Sequence, residues 1–397
     1  MPRVRNGGGL EPVVAVFSGG GTGGHLYPAL NLARGLKQLR PDVETVFVGA
    51  RRGLEARILP QRDMEFHLLP VRGVARGRVL SNLGVLPDLI RSVLQVSALY
   101  RRLRPRLVVV TGGYAGGPAG LAARLHGVPL VLQEQNAHPG ATTRMLSRWA
   151  RQVHLAFPEA RDHLPRSAHP QTRVTGNPVS PPLTGEAREV ARRELRAELG
   201  VPQGVPLMLA VGGSQGSRAL NQGVLAWLRR LSELPAPAPA REPGLHLLWS
   251  TGPNLLEEVL EGLEALGSPP WVHVQAYLDH MPQALAAADL ALSRAGAMAT
   301  SEFLAWGTPA VLVPLPTAAA NHQHRNAEAL EGAGAARLLP EVQLSGASLE
   351  ALLRELLDHP EQLLAMGRRA RAAGRPGAME DAVRSMAELL PPAREAA

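Results

Sequence analysis

Two strand–glycine–helix units, set roughly half a chain apart, constrain this sequence more than any other feature. The first runs Val13-Val14-Ala15-Val16-Phe17 into Gly19-Gly20-Gly21-Thr22-Gly23-Gly24-His25, with a helical pattern from Leu26. The second runs Leu207-Met208-Leu209-Ala210-Val211 into Gly212-Gly213-Ser214-Gln215-Gly216-Ser217, with a helical pattern from Arg218. Glycine lets the backbone approach a phosphate, and a helix N-terminus offers unpaired N–H groups at the positive end of its dipole. The first loop ends in His25, whose imidazole can move protons near neutral pH. Two such units predict two similar α/β domains, and 397 residues leave room for each to bury its own core.

The spacing of apolar runs carries that expectation along the chain. Candidate strands are 13–18, 44–49, 66–69, 107–111, 130–133, 153–156 and 172–175, then 206–212, 245–251, 271–275, 289–293, 310–314 and 335–339. Candidate helices at 26–39, 52–60, 79–103, 117–126, 141–148 and 158–163 separate the first set. Such alternation predicts doubly wound parallel sheets covered on both faces, with ligands at the carboxyl ends of the strands. Proline and glycine punctuate Gly176-Asn177-Pro178-Val179-Ser180-Pro181-Pro182, ahead of a charged helix at 186–199. The expected division is 1–176, 177–370 and a helical tail at 371–397 able to pack back on the first domain. Two such domains would face a cleft.

Composition removes several function classes. There is no cysteine, which excludes disulfides, thiolate catalysis and zinc–thiolate sites. No apolar run approaches the roughly 20 residues of a membrane span, and the N-terminus has no signal-peptide core, so export is not expected. The net charge of +8 favours an anionic partner. Few aromatics and no zinc-finger spacing speak against nucleic acid.

Gly19-x-Gly21-x-x-Gly24 matches a dinucleotide fingerprint, but the next strand ends Gly49-Ala50-Arg51-Arg52 and not in the acidic residue that holds ribose hydroxyls. Arginine there suits a 2′-phosphate, so an NADP-dependent oxidoreductase stays open. Neither loop carries the Lys-Ser/Thr ending of a Walker loop, and no Asp-x-Asp pair or metal-ligand spacing is present; no metal and no cofactor are expected. The segment 293–326 is more informative. A small-residue turn, Ser293-Arg294-Ala295-Gly296, precedes a helix through Ala297, Met298, Ala299, Thr300, Ser301 and Glu302. That turn can admit a diphosphate, and Glu302 can accept hydrogen bonds from vicinal ribose hydroxyls. An exposed helix charge is the plain alternative for Glu302.

Taken together, the motifs resemble the MurG family of bacterial cell-wall N-acetylglucosaminyltransferases. They are Gly20–His25, Gly112-Gly113-Tyr114-Ala115-Gly116-Gly117-Pro118, Glu134-Gln135-Asn136, Gly176-Asn177-Pro178-Val179, Gly212–Gly216, the 294–309 block and His322-Gln323-x-x-Asn326-Ala327. The resemblance implies a GT-B fold and inverting transfer from UDP-N-acetylglucosamine to the 4-hydroxyl of MurNAc in lipid I. It puts the uracil beside Leu278 and the ribose on Glu302. It puts the diphosphate on Ser214 and the Ala297–Thr300 turn, and the sugar hydroxyls on Asn136, Gln323 and His322. Thr22, Gly23 and Gly24 would face the reacting groups, and His25 or Glu134 would be the base. Where the family often has arginine after Asn-Pro-Val, this chain has Ser180, so a substitute is sought at Arg173 or Arg218. Gln133 stands where the family often has histidine.

A lipid-linked acceptor implies peripheral attachment at the cytoplasmic face of the inner membrane, to anionic phospholipid. Val74, Val79, Leu80, Leu83, Val85, Leu86, Leu89 and Ile90 are interleaved with Arg72, Arg76, Arg78, Arg91, Arg101, Arg102 and Arg104. An arginine-rimmed apolar patch of this kind binds lipid, and the same residues could equally be a helix core face. A related transferase acting on another lipid such as diacylglycerol, and a non-catalytic nucleotide sensor, remain the other possibilities.

Overall fold

Strands buried on both faces need unbroken apolar runs, and each of the runs above becomes a strand. The computed structural model describes residues 12–62, 64–72, 85–233, 244–318 and 321–393. The first sheet contains β1 (Val13–Ser18), β2 (Val43–Ala50), β3 (Glu65–Leu69), β4 (Leu107–Val110), β5 (Leu130–Glu134), β6 (Gln152–Leu155) and β7 (Thr172–Val174). Their order is β3-β2-β1-β4-β5-β6-β7, with every pairing parallel. The second contains β8 (Leu207–Val211), β9 (His246–Ser250), β10 (Val272–Gln275), β11 (Leu290–Ser293), β12 (Ala310–Leu312) and β13 (Ala336–Leu338). Its order is β10-β9-β8-β11-β12-β13, again all parallel. This is the two-domain GT-B architecture.

Strand alternation gives each sheet two cores. Val14 and Val16 of β1 pack on one side with Val96 and Tyr100, while Val13, Ala15 and Phe17 pack on the other with Leu26 and Leu32. Met208 of β8 packs with Trp227 and Trp249, and Leu207 and Leu209 with Phe303 and Trp306.

Two compact units result, one of Met1–Pro178 with Ala378–Ala397, the other of Val179–Gly377. The helix Pro360–Ala373 belongs to the second unit, where Arg371 donates to the Trp306 carbonyl at 2.8 Å. The helix Ala378–Ala387 belongs to the first. Three expected helices differ: 52–60 is α-helical only over Glu55–Ile58 and 141–148 only over Ala141–Leu146, each running on as a 3₁₀ turn, and 158–163, started by Pro158 with Pro165 just beyond, winds wholly as 3₁₀ turns.

In both sheets the chain order reverses beside the first strand, between β1 and β4 and between β8 and β11. Successive loops diverge at such a point and leave a crevice at the strand ends. Both glycine loops emerge there.

Candidate active site

In the first unit, the loops after β1, β4 and β5 meet around His25. Gly112 and Gly113 both have positive φ, at 101° and 74°. A Cβ on Gly113 would sit 2.0 Å from the Gly20 carbonyl oxygen, and one on Gly112 would sit 2.8 Å from His25 Nδ1. Only glycine lets these loops touch. His25 Nδ1 then lies 2.9 Å from the Thr111 carbonyl and 3.1 Å from Gln135 Oε1. Gln135 donates its amide to the Gln133 carbonyl at 2.9 Å, which turns Oε1 towards the ring. Two acceptors at Nδ1 require a proton there, so Nε2 carries the lone pair. The Thr111 hydroxyl donates to the His25 carbonyl at 2.6 Å and pins the backbone as well. Thr22 and Gly24 are exposed beside the ring, and Gly23 is partly exposed.

Glu134 is buried, at 2% exposure, and both of its carboxylate oxygens accept hydrogen bonds. Oε1 accepts from the Asn136 N–H at 3.1 Å and from Asn136 Nδ2 at 3.2 Å, and Oε2 accepts from the Gly140 N–H at 3.1 Å. This carboxylate shapes the Asn136 loop. The glycine run carries an internal anion too: the Gly21 N–H donates to Glu55 at 2.9 Å. Gly21 is therefore not an open phosphate cradle, contrary to the expectation from sequence.

In the second unit, Gly213 and Gly216 take φ of 88° and 76° in the loop after β8. A Cβ on Gly216 would sit 1.9 Å from the Thr251 carbonyl oxygen, so the loop closes against that strand end. Ser217 caps the helix Arg218–Ser232, its hydroxyl accepting from the Leu220 N–H at 3.3 Å. Arg294 ties this cap to the neighbouring turn. Its Nε donates to Ser217 Oγ at 2.9 Å, its Nη1 donates to the Val313 carbonyl at 3.2 Å, and its Nη2 pairs with Glu341 at 2.5 Å. Asn326 Nδ2 donates to the Ala295 carbonyl at 3.0 Å and holds the same turn from the other side.

That turn delivers the helix Ala297–Trp306, capped by Gly296. Thr300 is buried, its hydroxyl donating to the carbonyls of Gly296 and Ala297 at 3.1 Å each. Met298, Ala299 and Ser301 are partly exposed. Glu302 keeps some open surface, but the protein packed around it pushes its carboxyl up to about 7 by desolvation. No described residue hydrogen-bonds that carboxyl group. Gln323 Oε1 accepts from the Leu315 N–H at 2.9 Å, beside His322 at the start of the helix His322–Gly332. Leu278 follows β10 with its side chain buried, and Ser214 is half-buried at the loop tip.

The comparisons with known proteins bear on this arrangement. Residues 15–155 match the glycosyltransferase family 28 N-terminal domain, and residues 207–382 match its C-terminal domain. The chain belongs to the MurG branch of glycosyltransferase family 28. A UDP-N-acetylglucosamine–N-acetylmuramyl-(pentapeptide) pyrophosphoryl-undecaprenol N-acetylglucosamine transferase of Desulforudis audaxviator is 40% identical over 369 residues, covering 92% of this chain and 95% of the relative. The enzyme of the same name from Moorella thermoacetica is 42% identical, covering 92% and 96%. A crystal structure of Acinetobacter baumannii MurG matches with a TM-score of 0.69 at 28% identity, covering 95% of this chain and all of that one.

The two arginines considered in place of the family residue at Ser180 both make ion pairs at exposed positions. Arg173 donates to Ser385 and pairs with Glu388 at 3.5 Å, and Arg218 pairs with Glu258 at 2.5 Å. The sequence alone did not single out Thr111 and Gln135, which set the His25 tautomer, or Arg294, which ties the loop after β8 to the turn after β11. Gln135 stood inside a recognised motif, so its signal was present. Thr111 had none, because its role depends on a contact 86 positions away. Among the described residues no group of three or more His, Asp or Glu could hold a metal ion. No described helix is long and apolar enough to cross a membrane.

Proposed function

We propose that this chain transfers N-acetylglucosamine from UDP-N-acetylglucosamine to the 4-hydroxyl of MurNAc in lipid I, giving lipid II and UDP with inversion. The family and the names of relatives about 40% identical over more than nine-tenths of the chain support it. The observation that carries the chemistry is the His25 ring, protonated at Nδ1 by its two acceptors and basic at Nε2. Nε2 takes the proton of the acceptor hydroxyl as its oxygen attacks the anomeric carbon and the bond to UDP breaks. The Thr111 carbonyl and Gln135 then steady the imidazolium through Nδ1–H. Glu134 is left as a positioning residue, since its oxygens already serve Asn136 and Gly140.

On the donor side, the amides opening the helix Ala297–Trp306, with Ser214, receive the diphosphate and offset the charge that develops on the leaving group. Glu302 takes the ribose hydroxyls, the backbone at Leu278 takes the uracil, and Gln323 with His322 takes the sugar. The NADP alternative loses its footing at the first loop, where the Glu55 carboxylate already occupies the Gly21 amide.

The lipid-linked acceptor calls for membrane contact. The helix Val85–Leu103 buries Ser92, Val96 and Tyr100 and exposes Leu86, Ile90 and Leu94. That exposed stripe is the surface that would lie on anionic phospholipid at the cytoplasmic face of the inner membrane. Arg72 pairs with Asp88 at 2.9 Å; Val74, Arg76, Arg78, Val79, Leu80 and Leu83 lie outside the described residues.

The test is transfer of labelled sugar from UDP-N-acetylglucosamine to lipid I, with diacylglycerol as a parallel acceptor and excess EDTA throughout. Lipid I should be glycosylated and diacylglycerol should not. His25→Ala should lower kcat by about 10²–10⁴ with UDP affinity unchanged. Transfer to diacylglycerol alone, or none to either acceptor, would overturn the proposal.

A further inference from the structure

We propose that Glu55 is a built-in anion for the first glycine loop and a positioning residue for sugar transfer. The second half of the statement rests on the transfer function above. Glu55 is wholly buried, at 0% exposure. Oε1 accepts from the Ala50 N–H at 2.8 Å and the Gly21 N–H at 3.2 Å, and Oε2 accepts from the Gly21 N–H at 2.9 Å. No arginine, lysine or histidine pairs with it among the described residues. Among the described residues its hydrogen bonds come from the backbone N–H groups of Ala50 and Gly21 alone.

The surrounding glycines leave room for that carboxylate and nothing else. A Cβ on Gly20 would lie 2.2 Å from Oε1, one on Gly53 2.2 Å from Oε2, and one on Gly49 2.5 Å from Cγ. Three glycines, Gly20 from the first loop, Gly49 from β2 and Gly53 from the turn after it, thus form a cage around one side chain. On its other side, a Cβ on Gly21 would lie 2.5 Å from the Tyr114 ring. The phenol is held above its ordinary value, chiefly by burial and secondly by the Glu55 charge.

A glycine loop at a sheet's switch point ordinarily offers its amides to a ligand's phosphate. Here the protein supplies the anion. Gly21, with φ of 92°, turns its amide inward to Glu55, and the chain then leaves outward through Thr22 to the helix carrying His25. Glu55 therefore fixes where Gly23, Gly24 and the His25 ring stand. It also keeps any ligand phosphate off the Gly21 amide, by charge and by volume. Base catalysis is sensitive to this placement, because misplacing a reacting group by about 1 Å can cost about a hundredfold in rate.

Glu55→Gln separates charge from shape. Its volume is the same, but its amide protons would face the Ala50 or Gly21 N–H, donor against donor. The measurements are kcat and donor KM for transfer to lipid I, taken well below each protein's melting temperature, with UDP affinity by calorimetry. For Glu55→Gln, kcat should fall about 10- to 100-fold while donor KM and UDP affinity stay within about twofold. Glu55→Asp, which keeps the charge, should lie between Gln and wild type. Wild-type kcat in Glu55→Gln, or a Gln variant faster than the Asp variant, overturns the proposal. A variant that fails to fold leaves the decision to the wild-type protein, by amide hydrogen exchange. The Gly21 amide, though in a surface loop, should exchange at least about a hundredfold more slowly than a free amide. Free-amide exchange overturns the anchor. Absence of wild-type transfer would instead sink the sugar-transfer function and leave a slowly exchanging Gly21 standing.

Discussion

At the scale of single residues, Glu55 and Glu302 have opposite environments. Glu55 accepts from two backbone N–H groups, those of Ala50 and Gly21, whereas Glu302 is desolvated with no hydrogen-bond donor from the described residues. The second arrangement is stable for a carboxylate only when a ligand supplies the donors, as vicinal ribose hydroxyls do. Burial holds the Glu302 carboxyl at about 7 without ligand. The ionised form accepts two hydrogen bonds, while the protonated form gives up one acceptor site to a proton. UDP should therefore bind more tightly as pH rises through 7 and level off above it. Glu302→Gln should cost about 1.5–3 kcal/mol of UDP affinity at high pH and remove this dependence. Calorimetry of both proteins across pH measures it; the phosphate's own ionisation is common to both, so their difference isolates Glu302. Parallel profiles would show that Glu302 does not touch the nucleotide. Glu302 stood out as a candidate in the sequence because a small-residue turn precedes it. Glu55 did not: a lone glutamate in a charged helical stretch looks solvated, and its partner Gly21 lies 34 residues away.

At the scale of elements, the helix Val85–Leu103 explains why sequence alone could not choose between core and membrane. The helix carries a buried side and an exposed apolar stripe. Ser92, Val96 and Tyr100 recur every four residues on the buried side, where the Tyr100 hydroxyl donates to the Ala119 carbonyl at 3.2 Å. Leu86, Ile90 and Leu94 recur with the same period and are 62%, 53% and 65% exposed. Two interleaved sets half a turn apart blur into one apolar pattern until the packing partner of each is known. An exposed stripe of three large aliphatics costs a protein solubility, so it needs a use. Replacing all three by serine should leave folding and UDP binding intact, since none is in the core. It should remove on the order of 3 kcal/mol of apolar insertion and with it most binding to anionic vesicles. Co-sedimentation at low and high salt reads the loss. A triple variant that sediments like wild type would move the membrane contact to another surface.

At the scale of the molecule, the sheets were the most legible feature, because a parallel strand buried on both faces writes itself as a short apolar run with nothing in between. The return of a C-terminal helical tail was expected too, for 371–397, but not the residues it would meet. The helix Ala378–Ala387 returns to the first unit after the whole second unit has been made. Met379, Ala382, Val383 and Met386 complete the core under Leu26, Ala29, Leu32 and Leu36. Gly35 allows the close approach, since a Cβ there would lie 2.9 Å from Val383 Cγ2. Gln152 Nε2 donates to the Ser385 carbonyl at 2.8 Å, and Ser385 Oγ donates back to Gln152 Oε1 at 3.1 Å, 233 positions apart in sequence. Met379, Val383 and Met386 are nearly fully buried, at about 1.5–3 kcal/mol each, so the tail contributes on the order of 5 kcal/mol, comparable with the whole stability of an ordinary domain. A chain ending at Gly377 should therefore lose the melting transition of the first unit, with its glycine loop and His25, and lose transfer entirely. The second unit, whose core contains no tail residue, should still bind UDP with near wild-type affinity. Scanning calorimetry with and without UDP separates the two outcomes. A truncated chain that keeps both transitions would mean the tail is dispensable, and one that loses UDP binding as well would mean the units do not fold independently.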